Sequence, residues 1–324
     1  MRVRLLPICV AVLAIFGLLA AEDGVEPHAG PVLRPGSNKT LYSVPVSTNF
    51  RTETALVLVP VTVVDPRNRA VNGLAKEDFQ LFEDNQEQTI LSVSNEDTPM
   101  SVGLLFDCSG SMGDKLQKSR QAAAEFLKIA NPNDEFFLVT FREAPTLNQG
   151  FTQDQRRIQD LLASTESRGT TALLDAIYLG VHEMKKARNS RKALLIISDG
   201  GDNNSRFTIS EAKNAIRESD AQIYAIGIYE SLSNRYRTPE EGAGPALLSE
   251  FAKQTGGRHY QVENLNKLPG IAAAIALELR NQYILSYAPQ NRIHDGKYRQ
   301  IRVKLAQSHG RKAYWRRGYF APAE

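Results

Sequence analysis

Cysteine is nearly absent from this chain of 324 residues, which holds only Cys9 and Cys108. Cys9 sits in an N-terminal apolar stretch, so a processed chain would keep one thiol and no intramolecular disulfide. That excludes a small disulfide-stapled scaffold. The five histidines, His28, His182, His259, His294 and His309, show no zinc-ligand spacing. No Gly-x-Ser-x-Gly elbow, Walker loop or dinucleotide fingerprint occurs, which removes the usual signatures of acyl transfer, nucleotide hydrolysis and hydride transfer. Charge of one sign is also lacking. The formal net charge is +3, and +1 (3 − 2) once Arg2 and Arg4 are set aside, so bulk electrostatics name no partner.

Long hydrophobic runs are confined to the first residues. Arg2 and Arg4 precede an apolar run from Leu5 to Leu19, and Ala20-Ala21 offers small residues for cleavage. Residues 1–21 therefore read as a secretory signal. The alternative is an uncleaved anchor, at the short limit for spanning a bilayer and interrupted by Pro7; contact with a membrane is expected only in that case. The expected location is the periplasm, the cell envelope or outside the cell.

What is present is ordinary for a globular protein: 42% hydrophobic and 23% charged residues, with length for about two domains. Residues 22–52 are rich in Pro, Gly, Ser, Asn and Thr and read as a linker or loosely ordered arm. Leu56–Val64, Asp78–Glu83 and Thr89–Val93 read as strands. Residues 98–285 then alternate strand and helix signals. Strands are expected at Val102–Phe106, Glu135–Phe141, Ala193–Ile197 and Ala221–Tyr229. Helices are expected at Lys115–Ala130, Gln155–Ser164, Thr171–Lys186, from Thr208, at Ala246–Thr255 and at Leu265–Arg280. Such alternation predicts an α/β fold, a doubly wound, mostly parallel sheet with helices on both faces. Tyr283–Tyr287, Tyr298–Leu305 and Ala313–Tyr319 read as strands again. Residues 53–97 and 286–324 are expected to pack together as a small, discontinuous, β-sandwich-like domain. The basic and aromatic ending, Arg311 to Tyr319, reads as a solvated strand face rather than a nucleic-acid site.

One stretch carries chemistry. Phe106-Asp107-Cys108-Ser109-Gly110-Ser111-Met112 joins an apolar strand to a helical pattern. A carboxylate and two hydroxyls at i, i+2 and i+4 thus fall on a loop at the carboxyl edge of the sheet, where open α/β folds bind ligands. Hard oxygen donors suit a hard divalent cation. Cys108, between them, should turn into the core as a small hydrophobe.

This Asp-x-Ser-x-Ser arrangement resembles the metal-ion-dependent adhesion site of von Willebrand factor type A domains. Gly169-Thr170-Thr171-Ala172-Leu173 resembles that family's threonine loop, and Leu194 to Gly200 its strand ending in Asp-Gly. The segments Leu74 to Phe79 and Arg317 to Phe320 resemble a bacterial group of exported proteins carrying such a domain. The resemblance implies a Rossmann-like fold and a metal site of Asp107, Ser109, Ser111, Thr171 and Asp199. The ion it implies is Mg²⁺, with Mn²⁺ or Ca²⁺ as alternatives. Asp202, Asn203 and Asn204 are either supplementary donors or a solvated turn. The implied function is non-enzymatic: binding a protein ligand that offers a carboxylate to the ion. A metal-assisted hydrolase and an envelope protein with a purely stabilising metal stand as alternatives.

Overall fold

A computed structural model describes residues 56–229 and 239–323. The expected signal (1–21) and arm (22–52) lie outside the described residues. The first strands are β1 (Val57–Val64), β2 (Phe79–Glu83), β3 (Gln86–Gln88), β4 (Ile90–Ser94) and β5 (Met100–Asp107). There follow α1 (Leu116–Lys128), β6 (Glu135–Phe141), β7 (Pro145–Thr152), α2 (Gln155–Ala163), α3 (Leu173–Met184) and β8 (Arg191–Ser198). Next are α4 (Ile209–Glu218), β9 (Gln222–Ile228), α5 (Pro239–Thr255), β10 (His259–Val262) and α6 (Leu268–Arg280). The chain closes with β11 (Tyr283–Tyr287), β12 (Tyr298–Leu305), β13 (Lys312–Trp315) and β14 (Gly318–Phe320).

The apolar runs become a six-stranded sheet in the order β10-β9-β8-β5-β6-β7. Every pair in it is parallel except β6 with β7. Strand β5 is buried along its whole length, as a central strand covered on both faces must be. Its alternate residues serve different layers. Val102, Leu104 and Phe106 pack toward Phe126 of α1, Ile158 of α2 and Ile275 of α6. Leu105 packs with Ile177 of α3, Ile216 of α4 and Phe251 of α5. The sheet is therefore wound on both faces. From β5 the chain goes first to β6 on one side and later to β8 on the other, so the carboxyl end of β5 is a topological switch point.

The flanking segments build two four-stranded sheets, β13-β1-β11-β4 and β14-β12-β2-β3. They share one apolar core, in which Val59, Val61 and Leu285 of the first meet Leu81, Ile301 and Val303 of the second. In β12 buried and exposed residues alternate, the signature of a strand with one solvated face. These sheets do not stand apart: residues Glu53–Glu324 form one compact unit. No helix among the described residues is long and apolar enough to cross a membrane.

Four details differ from expectation. Strand β7 has the sequence Pro-Thr-Leu-Asn-Gln-Gly-Phe-Thr, too polar to stand out, because as an edge strand it is only half covered. Strands β3 and β10 are too short to show a periodic signal. The stretch 313–319 is two strands in different sheets. Arg316 pairs with Thr255 at the end of α5 and breaks the run there. Gly256 takes a positive φ of 81° at that point, and a side chain on it would run into the backbone of Trp315 and Arg316. Finally, a boundary at 285 cuts β11, whose whole length pairs with β1 and whose residues from Ile284 pair with β4.

Candidate metal centre

Asp107 is the last residue of β5, and Asp199 directly follows β8. The two strands are hydrogen-bonded neighbours, with Phe106 opposite Ile197, so both carboxylates emerge side by side at the switch point. Asp107 is fully buried and Asp199 nearly so. Ser109 is buried beside them, while Ser111 is exposed on the open side. Their hydroxyls lie 3.1 Å apart, so the two donors of the motif do converge. Thr171, buried at 4% exposure, comes from the loop before α3.

Backbone contacts hold these three loops together. Gly110 N–H donates to Gly169 O at 2.9 Å and Arg168 N–H to Cys108 O at 3.0 Å. A side chain on Gly110 would press on the Gly169 carbonyl at 3.2 Å, so close approach, rather than a left-handed backbone, is what requires glycine there. Gly169 has the positive φ of the threonine loop, at 76°. One left-handed residue suffices, and Thr170 can stand where a second glycine is common in the resembled loop. The N–H groups of Asn203 and Asn204 both donate to Thr171 O at 3.0 Å, and Asn203 Oδ1 accepts from Thr171 N–H at 2.9 Å. Asp202 Oδ1 accepts from Leu173 N–H at 2.8 Å and Ser205 Oγ–H at 2.5 Å, capping the start of α3. Residues 202–204 thus buttress the threonine loop.

The electrostatics are unbalanced. Asp107 Oδ1 accepts from Ser109 N–H at 2.8 Å and Oδ2 from Ser198 Oγ–H at 2.6 Å. The Ser198 oxygen in turn accepts from Gly200 N–H at 2.9 Å, which fixes its proton toward Asp107. Even so, burial, followed by the neighbouring Asp199 charge, pushes the Asp107 carboxyl well above the usual carboxylate range. Asp199 Oδ2 pairs with the ammonium of Lys115 at 2.9 Å. Asp199 Oδ1 is buried and has no hydrogen-bond partner among the described residues. Such an orphaned charged oxygen is costly unless something positive meets it. A divalent cation among two carboxylates and three hydroxyls would supply that charge, so the donor set fits. No group of three His, Cys, Asp or Glu converges among the described residues, which is consistent with a candidate donor set containing only two acids.

Cys108 turns into the core, with its Sγ 3.7 Å from Phe106 O. Burial pushes its thiol up to about 11, so it is an inert small hydrophobe at neutral pH. Two contributors escape sequence reasoning. Ser198 reads as part of an apolar strand end, and Lys115 as an ordinary first residue of a helix. The only signal for either is position, beside Asp199 and four residues after Ser111.

Residues 102–201 match the von Willebrand factor type A domain model. The heavy chain H4 of human inter-alpha-trypsin inhibitor is 26% identical over 141 residues, which is 40% of this chain. The match spans only about 15% of that curated relative's length. Among solved structures, a von Willebrand factor type A protein from Catenulispora acidiphila superposes with a TM-score of 0.50 at 11% identity, covering 85% of this chain and 75% of its own. Proximal thread matrix protein 1 from the mussel byssus, described with a zinc-occupied MIDAS motif, gives a TM-score of 0.48 at 16% identity, over 61% of this chain and 50% of its own. The segment that matches the von Willebrand factor type A domain, residues 102–201, ends β5 and β8 in Asp107 and Asp199, and the mostly parallel sheet around it has the Rossmann-like fold of such domains.

Proposed function

We propose that this chain is an exported, non-enzymatic binding module. Asp107, Ser109, Ser111, Thr171 and Asp199 hold a divalent cation, and the carboxylate of a protein partner completes the ion's coordination. The observation that carries this reading is Asp199 Oδ1, buried and unpartnered among the described residues, beside a second carboxylate. Mg²⁺ is the first candidate: two carboxylates and the Lys115 ammonium sum to −1 (−2 + 1), so a divalent ion on these hard oxygens leaves the site at +1 and receptive to an incoming anion. The exposed Ser111 side is where that anion would enter. A hydrolase would need a general base in addition to the ligands. Both carboxylates of the cluster are taken up by the ion, so binding is the better reading. Export rests on the charged and apolar N-terminal residues alone, and N-terminal sequencing of the mature protein should begin near Ala21 to Asp23.

Thermal melting tests the function. Mg²⁺ should raise the melting temperature, and a peptide carrying a single glutamate in an otherwise neutral sequence should raise it further only while Mg²⁺ is present. Stabilisation by Mg²⁺ with no metal-dependent response to the peptide would leave a purely structural ion. No response to Mg²⁺, Mn²⁺, Ca²⁺ or Zn²⁺ would remove the basis of the reading.

A further inference from the structure

A groove of about 1000 Å³ runs between α5 and strand β12, lined by consecutive residues of that strand, and the candidate metal centre does not use it. Five cations line it: Arg217 of α4, Lys253 of α5, Arg302 and Lys304 of β12, and Arg317 ahead of β14. All five are exposed, and none has a carboxylate within ion-pair distance among the described residues. The single acid in the lining, Glu250, is already paired with Lys213 at 2.7 Å.

Four of these cations rest on aromatic rings. Arg302 and Lys304 lie 4.9 and 5.2 Å from the centre of the Phe82 ring. Arg317 lies 4.7 Å from the centre of the Trp315 ring, and Arg217 5.9 Å from that of Tyr298. A cation on a ring face keeps its charge and its N–H donors while losing side-chain freedom in advance. Arg302 and Lys304 occupy alternate positions of one strand, so they are spaced by about 6.7 Å, twice the rise per residue. An extended peptide with acids at every second residue repeats at the same interval. Gln254, Gln300 and Asn85 add side-chain amides that can meet its backbone. A single-stranded nucleic acid fits less well, since it needs open aromatic faces for its bases and here the cations cover them.

We propose that this groove is a second binding surface, which takes an extended acidic segment of a protein partner independently of the metal. The test is fluorescence anisotropy on the full chain with a labelled peptide alternating Glu and Thr, in EDTA. Binding should survive EDTA and Asp107→Asn and weaken as salt rises. The double variant Arg302→Gln, Lys304→Gln should weaken it about tenfold or more, as loss of complementary charges at an interface does. Both positions are exposed, so circular dichroism and melting should stay unchanged. Were the double variant to misfold, Lys253→Gln on the helical wall carries the test, with an expected loss of about threefold. The proposal is overturned if the folded variants bind as well as wild type, or if EDTA abolishes binding. It is overturned equally if oligothymidylate or phosphatidylserine vesicles bind more tightly than the peptide.

Discussion

Where the α/β layer meets the flanking sheets, Glu278 is buried against Arg258 at 2.5 Å. Its oxygens also accept the hydroxyls of Tyr260 at 2.6 Å and Tyr224 at 3.0 Å. Arg258 is held in turn by Asn68 and stacks between the rings of Tyr260 and Tyr314. At the opposite, loop end of the same sheet, two carboxylates lie together, Lys115 pairs with Asp199 alone, and one Asp199 oxygen has no partner among the described residues. The two places bury similar charge with opposite completeness. The first has a fixed donor for every acceptor, which makes it a joint between layers. The second leaves net negative charge to be met from outside. Burial of a charged residue therefore does not mark a functional site; an uncompensated buried charge does.

Breaking the joint should have the largest effect. Glu278→Ala strands a buried guanidinium and two tyrosine hydroxyls, and should destabilise the protein by about 3–5 kcal/mol. Urea unfolding checks the figure, and the loss should be the same with and without Mg²⁺. A loss that Mg²⁺ restores would mean that joint and site are coupled.

At the metal centre the sign of the stability effect should reverse. Asp107→Asn keeps an oxygen to accept the Ser109 N–H and removes the charge that repels Asp199. The metal-free variant should melt at or above the wild-type temperature. Its cation affinity should fall by at least ~2 kcal/mol, by comparison with removing one partner of a buried ion pair. Calorimetric titration of Mg²⁺ and Mn²⁺ reads this directly, and unchanged affinity would mean the ion sits elsewhere.

Lys115 sharpens the contrast further. Its ammonium occupies Asp199 Oδ2, so an incoming ion must share or displace it. Lys115→Met should lower metal-free stability by about 3 kcal/mol, the low end for a largely buried ion pair that loses its cation. The same change should raise cation affinity about tenfold, equivalent to about 1.4 kcal/mol. If both stability and affinity fell, the lysine would be holding the loop in shape rather than competing for it.

Much of the α/β side of this comparison is legible in the amino-acid sequence. The parallel strands announce themselves as apolar runs because they are covered on both faces, and Asp107, Ser109 and Ser111 follow the most buried of them. Thr171 and Asp199 are legible only through resemblance, since nothing in their spacing places them beside Asp107. Lys115, Ser198 and the buttress of Asp202 and Asn203 are not legible at all. Their roles arise from contacts between loops tens of residues apart, and a serine or lysine carries no pattern that records such a contact. Strand β7 escapes for a different reason: its partner on one side is solvent, so its sequence never had to become apolar.

If the proposed site holds the ion, its hydroxyl donors should show the smallest effects, and their order follows from exposure. A neutral hydroxyl bound to an ion can be replaced by water where water can enter. Ser111 is exposed, so Ser111→Ala should admit a replacement water and weaken Mg²⁺ less than about threefold, near the low end for loss of one hydrogen-bonding group. Ser109 and Thr171 are buried at 1% and 4% exposure. Alanine at either position opens a space only as large as the lost oxygen, closed off by the stitched loops around it. Water is harder to seat there, so each should cost about 1–1.5 kcal/mol, or five- to tenfold in affinity. All three variants should keep the metal-free melting temperature within a few degrees, because none removes charge or apolar burial. Titrating Mg²⁺ into the three side by side separates the cases. A larger loss for Ser111→Ala than for Ser109→Ala would place the ion farther out toward solvent than Asp107 and Asp199 suggest, and would move the partner's carboxylate with it.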